Sequence, residues 1–111
     1  MADTPTGPLL AGIRVIDIAN ERGEMAGRLL ADLGAEVIKV EPPSGTPSRF
    51  LPPWENGKEG NVEGSLYWAA YGLGKKSVVV DITTDEGQEQ LRGLLKGADI
   101  FVESFDPGTL A

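Results

Sequence analysis

Leu29-Leu30-Ala31-Asp32-Leu33-Gly34-Ala35-Glu36-Val37-Ile38-Lys39-Val40-Glu41 carries the last turns of an amphipathic helix, a glycine stop and a buried strand closing on an acid. This is the second half of a β-α-β unit. Its first half stands directly upstream, in Gly12-Ile13-Arg14-Val15-Ile16-Asp17-Ile18-Ala19. Strand, crossover helix and parallel strand within about thirty residues pack back right-handedly. Ligands of such sheets bind beyond the carboxyl ends of the strands, at the point where the strand order reverses.

Outward from this unit, strand one runs from Arg14 to Ala19 and is apolar on both faces, as a parallel strand covered on both sides must be. Asn20-Glu21-Arg22-Gly23-Glu24 is the strand-to-helix loop, with Asn20 placed to cap the helix and Glu21 and Glu24 in the positive field of its first turn. The helix is expected to bury Met25, Ala26, Leu29, Leu30 and Leu33 and to leave Arg28 and Asp32 in water. Gly34 takes the left-handed position that ends it. Strand two runs from Glu36 to Glu41 and stops at Pro42-Pro43, which have no N–H for a ladder.

Periodicity then fails over residues 44–63, a Gly- and Pro-rich loop long enough to be a functional segment or one that awaits a partner. Ser65 is placed to cap a short helix, Leu66 to Tyr71, that ends at Gly72. Strand three is expected from Val78 to Ile82. Thr83 and Glu86 have the spacing of a capping box, opening a helix that buries Leu91, Leu94, Leu95 and Ala98 and stops at Gly97. Strand four is expected from Asp99 to Glu103. Lys96-Gly97-Ala98-Asp99-Ile100-Phe101 echoes Leu33-Gly34-Ala35-Glu36-Val37-Ile38, so the two β-α-β units share one construction. Residues 1–11 are a lead-in. The expected architecture is an α/β, Rossmann-like parallel sheet of about four strands with helices on both faces, in one domain over residues 1–111. Its fourth strand is left uncovered, as in a piece of a longer chain.

Composition narrows the chemistry. The 111 residues contain no cysteine and no histidine, so a disulfide framework, a thiolate metal site and a Ser-His-Asp triad are all excluded within this chain. A net charge of −7 opposes nucleic acid or an anionic membrane as a bulk partner. The longest apolar run, the six residues from Leu66 to Tyr71, is too short to span a bilayer. The amino terminus lacks a basic region followed by a long apolar one, which points to the cytoplasm.

An anionic ligand therefore needs local cations, and those near the loops are Arg22, Arg49, Lys58, Lys75 and Lys76. Glu41 lies where a ribose-binding acid of a nicotinamide site would lie. The first turn, however, carries Gly23 alone rather than Gly-x-Gly-x-x-Gly, with Glu21 and Glu24 beside the pyrophosphate position. Gly72-Leu73-Gly74-Lys75-Lys76-Ser77 has the wrong spacing for a Walker loop and precedes a strand, and Asp17 lacks the acid pair of a phosphorylated receiver. Lys75 and Lys76, beside two glycines, are the best phosphate contact on offer, against the alternative of a solvated pair flanking a strand.

Five ordered blocks then carry a larger pattern: Leu10-Ala11-Gly12-Ile13-Arg14-Val15-Ile16-Asp17; Leu30 to Pro43; Gly74 to Asp81; Thr84-Asp85-Glu86-Gly87; and Ala98 to Leu110. Block by block the chain resembles the amino-terminal part of the family III (CaiB/BaiF-type) CoA-transferases, which include formyl-CoA transferase-like enzymes. The resemblance implies a CoA-binding domain of an enzyme that moves CoA between an acyl-CoA and a carboxylic acid acceptor. It does so through a covalent aspartyl intermediate whose aspartate lies beyond this chain. It further implies CoA contacts at Asn20, Glu21 and Arg22, at the basic turn of Lys75 and Lys76, and at Ser104 and Phe105. No metal is implied, and interlocked homodimers are. Three departures stand out: Gly23-Glu24-Met25 replaces an Ala-Gly-Pro segment, Ser104 replaces an Asn, and Pro42 replaces an arginine, whose adenosine-phosphate charge would fall to Arg49. An acyl-CoA racemase of the same family and a non-catalytic interaction domain remain the alternatives.

Overall fold

The computed structural model describes residues 7–110; the first six residues of the lead-in and Ala111 lie outside the described residues. The elements in chain order are β1 (Arg14–Asp17), α1 (Glu24–Asp32), β2 (Glu36–Glu41), a 3-10 turn (Pro47–Phe50), α2 (Leu66–Tyr71), β3 (Lys75–Val79), α3 (Asp85–Lys96) and β4 (Ile100–Val102). All four strands are parallel, in the order β3-β2-β1-β4. The chain steps outward from β1 to β2 and β3 and then crosses back to lay β4 against the other side of β1. The reversal point therefore lies between β1 and β4.

Period-two alternation divides the sheet into two faces. Ile16, Ile18, Val40 and Val80 form one core with Leu91, Leu94, Leu95 and Ala98 of the α3 segment. Val15, Ala35 and Val37 form the other with Leu30 and Ala31 of α1. Helices thus cover both faces. Gly34 ends α1 with φ +102°, and a side chain there would collide with Pro8. The first turn of α3 is fixed by Thr84, whose hydroxyl accepts from the Gly87 amide at 3.0 Å. The cap is therefore Thr84 and not Thr83, because the Thr83 hydroxyl donates to the Asp81 carboxylate instead, at 2.5 Å.

Three other expectations are corrected. Strands one and four are shorter than expected, ending at Asp17 and Val102. Strand three runs from Lys75 to Val79 rather than from Val78 to Ile82, pairing Lys75 with Val37 and Ser77 with Lys39. Its first three residues are polar because their side chains meet acids, Lys75 with Asp17 and Glu24, Lys76 with Glu36 and Ser77 with Glu41, so an apolar run marks only its end. The stripe Met25, Leu29 and Leu33 faces outward, 48%, 53% and 45% exposed, while Glu24 and Gly27 are buried against the sheet. Charges beneath the helix reverse the face that hydrophobicity alone selects.

The 44–63 segment is not structureless. It folds back so that Trp54 bridges Ser65, Glu55 N–H donates to Gly64 O at 2.8 Å, and the Ser65 hydroxyl donates to Leu51 O at 2.5 Å. Ser65 caps α2 as its position predicts, accepting from the Trp68 amide at 3.1 Å. Among the described residues no helix is long and apolar enough to cross a membrane.

Candidate functional site

Where β1 and β4 end side by side, the two following segments meet. Ile18 N–H donates to Val102 O at 2.9 Å, continuing the ladder past β1. Two residues later Asn20 N–H donates to the Ser104 hydroxyl at 2.9 Å, and that hydroxyl donates back to Asn20 Oδ1 at 2.7 Å. The same Oδ1 accepts from the Arg22 amide at 3.0 Å, an Asx turn. Asn20 therefore shapes the loop instead of capping α1, whose cap is Gly23 with no side-chain bond. Gly23 is required by packing: a Cβ there would lie 2.8 Å from Ala19 Cβ and 3.5 Å from Ser104 Cβ.

Around this junction Arg22 pairs with Asp106 at 3.3 Å in open solvent, leaving its guanidinium free to re-pair with an anion. Glu21 is exposed, and its carbonyl accepts from the Tyr67 hydroxyl at 3.3 Å. Phe105 is half-buried against the α3-side core, and its amide donates to Glu103 Oε2 at 2.9 Å. Asn20, Glu21, Arg22, Ser104 and Phe105 are thus brought to one rim, at the carboxyl ends of β1 and β4.

Lys75 and Lys76 do not join them. Both open β3, level with Val37 and Ile38 near the amino end of the sheet. Among the described residues the exposed ammonium of Lys76 reaches only Glu36, at 3.7 Å. Lys75 runs beneath α1 into a buried cluster that local sequence reading misses. Its Nζ lies 2.8 Å from Asp17 Oδ2 and 2.9 Å from Glu24 Oε1, and donates to Glu24 O at 3.0 Å. Lys39 Nζ lies 2.7 Å from Glu24 Oε1 and 3.3 Å from Asp17 Oδ1, and donates to Ala19 O. All four side chains are fully buried. Asp17 and Lys39 are register partners on neighbouring strands, on the same face as Val15 and Val37. Opposite charges at matched positions of two covered strands are the signal that locates the cluster. Gly27 makes room for it: a Cβ there would overlap the Asp17 carboxylate and lie 2.9 Å from Lys75 Cε.

Arg49 likewise departs from the expected role. Its guanidinium grips Glu41 through two bonds, Nε to Oε1 at 2.6 Å and Nη2 to Oε2 at 2.9 Å, and lies 4.7 Å from the centre of the Trp68 ring. Nη1 adds Val62 O at 3.0 Å and Glu63 Oε1 at 3.3 Å. Burial pushes the Glu41 carboxyl up, but hydrogen bonds from Arg49, Ser77 and the Thr46 amide, with the Arg49 charge, outweigh it and hold the group at about 2. Arg49 is thus an anchor that fastens the 44–63 segment to the end of β2. Among the described residues no group of three metal-ligating side chains is gathered.

A family model described as CoA-transferase family III matches residues 10–111. The chain is 42% identical over 97 residues to succinyl-CoA:(R)-benzylsuccinate CoA-transferase subunit BbsE of Thauera aromatica, covering 87% of this chain and 23% of that protein. It is 41% identical over 115 residues to succinate–glutarate CoA-transferase of Agrobacterium fabrum, covering 100% of this chain and 29% of the relative. A solved structure of a CAIB/BAIF family protein from Brucella suis superposes with a TM-score of 0.82 at 37% identity, covering 95% of this chain and 28% of the other. The chain therefore spans about a quarter of the length of these relatives.

Proposed function

The chain belongs to CoA-transferase family III, and from that premise we propose that it is the CoA-binding part of a cytoplasmic enzyme that transfers CoA from an acyl-CoA to a carboxylic acid. The observation that carries this reading is the Asn20–Ser104 junction, which joins the loops after β1 and β4 where the strand order reverses. Asn20, Glu21, Arg22, Ser104 and Phe105 supply the contacts to CoA. Arg22 exchanges its exposed pair with Asp106 for an anionic group of the ligand. Lys75, Lys76 and Arg49 take no part in that contact, since two are held in buried or half-buried ion pairs and the third stands at the far end of the sheet.

Chemistry on the thioester belongs to an aspartyl carboxylate outside residues 1–111, so this chain binds and does not turn over. Transfer is preferred to α-proton exchange because both curated relatives are named CoA-transferases. The working enzyme is a homodimer, with apolar surface on α1 and at β4, including Phe101, serving as contact area.

Titration calorimetry of the chain with CoA tests the reading. Saturable binding is expected, weakened about tenfold by Arg22→Ala and unaffected by Lys76→Ala. No heat at millimolar CoA, or an equal loss with Lys76→Ala, overturns it.

A further inference from the structure

The buried cluster of Asp17, Glu24, Lys39 and Lys75 has no part in contacting a ligand, yet it holds the main chain at both ends of the loop that does. Asp17 Oδ1 accepts from the Ala19 amide at 2.9 Å, and Lys39 donates to the Ala19 carbonyl. At the other end Lys75 donates to the Glu24 carbonyl at 3.0 Å, while both lysines grip the Glu24 carboxylate at 2.7 and 2.9 Å. Residues 20–23 are strung between these two anchors.

Four buried charges are a poor way to stabilise a core. Two acids and two bases sum to no net charge, but their desolvation offsets most of their mutual attraction, and apolar side chains of similar volume pack at least as well. Here the desolvation is incompletely offset, because among the described residues Glu24 Oε2 has no hydrogen-bond donor, while Asp17 Oδ2 meets the Lys75 ammonium at 2.8 Å. What charges supply and apolar groups do not is a directional hold on individual main-chain N–H and C=O groups.

Resting on the CoA-binding reading above, we infer that this cluster is a positioning device for the ligand loop, with Glu24 and Lys75 as positioning residues acting through Asn20 and Arg22.

The test follows Glu24→Gln, the charge-balanced pair Glu24→Gln with Lys75→Met, and Leu94→Ala as a control in the α3-side core. Three readouts are taken: urea unfolding, hydrogen exchange at the Asn20, Arg22 and Gly23 amides, and CoA affinity. Glu24→Gln is expected to speed exchange at those three amides at least tenfold beyond the change at core amides, and to weaken CoA about tenfold. The balanced pair regains stability without regaining loop protection. Leu94→Ala lowers stability and leaves both loop exchange and affinity as they were. Loop exchange that merely tracks global stability in every variant overturns the positioning role. Failure of the unsubstituted chain to bind CoA overturns the docking reading alone, because the exchange pattern decides the positioning role independently.

Discussion

Replacing Glu41 with Gln removes a carboxylate whose titration is displaced far enough to govern stability in acid. The group falls from an ordinary 4.5 to about 2, and each unit corresponds to about 1.36 kcal/mol. The full displacement is therefore worth at most about 3 kcal/mol, and roughly half of that after solvent screening at the mouth of the 44–63 segment. The sign follows from the depressed value. Below it both folded and unfolded chains are protonated and nothing is gained; above about 4.5 the ionised form is held only by the folded chain, and the whole contribution is present. The assay is urea unfolding of the chain and of Glu41→Gln between pH 7 and pH 3. The difference in unfolding free energy should be about 1.5–3 kcal/mol and flat above about pH 5, then shrink as pH falls. The remaining acids are common to both proteins and drop out of the difference. A difference independent of pH over that range refutes the Glu41–Arg49 anchor.

Two glycines of α3 respond oppositely to alanine. Gly87→Ala drives a Cβ into the Asp81 carbonyl and should cost more than about 2 kcal/mol, whereas Gly93, with nothing near its missing Cβ, should gain about 0.5–1 kcal/mol. Thermal melts separate the two. Thr84→Ala removes the cap and should cost about 1 kcal/mol in the same melts, while Thr83→Ala costs less. Gly27→Ala has to displace the Asp17 carboxylate and Lys75, and a loss of about 3 kcal/mol in denaturant unfolding is expected, with no loss contradicting the buried cluster. At high concentration the chain should sediment as a self-associating species, and Phe101→Ser should weaken the association; a strict monomer contradicts the dimer contact at β4.

Much of this fold is legible along the chain. β1 and β2 are apolar runs with a glycine-terminated helix between them, and the repeated Gly-Ala-acid junction announces the second unit before any contact is known. β3 escapes the same reading because it is an edge strand, and its polar opening residues are satisfied by partners far away in sequence. Lys75 reaches Asp17 and Glu24, and Ser77 donates to Glu41. The face of α1 is misjudged for a related reason. Hydrophobic periodicity favours Met25, Leu29 and Leu33, but a carboxylate matched by two lysines from neighbouring strands can be buried in their place. At the site, Asn20, Arg22 and Ser104 as contacts are what the family resemblance implies, and only the rim that they share follows from the strand ends. The exclusion of Lys75 and Arg49 does not, since a basic residue beside a glycine looks the same whether its charge is free or already spent on an ion pair.

The central claim is that CoA docks where the loops after β1 and β4 join, at the carboxyl rim of the sheet. Amide chemical shifts of the isotopically labelled chain, followed during titration with CoA, test it most directly. Shifts should concentrate at residues 20–23 and at Ser104 and Phe105, while Gly74 to Ser77 stay still. Shifts centred on Gly74 to Ser77, or none at millimolar CoA, would contradict it.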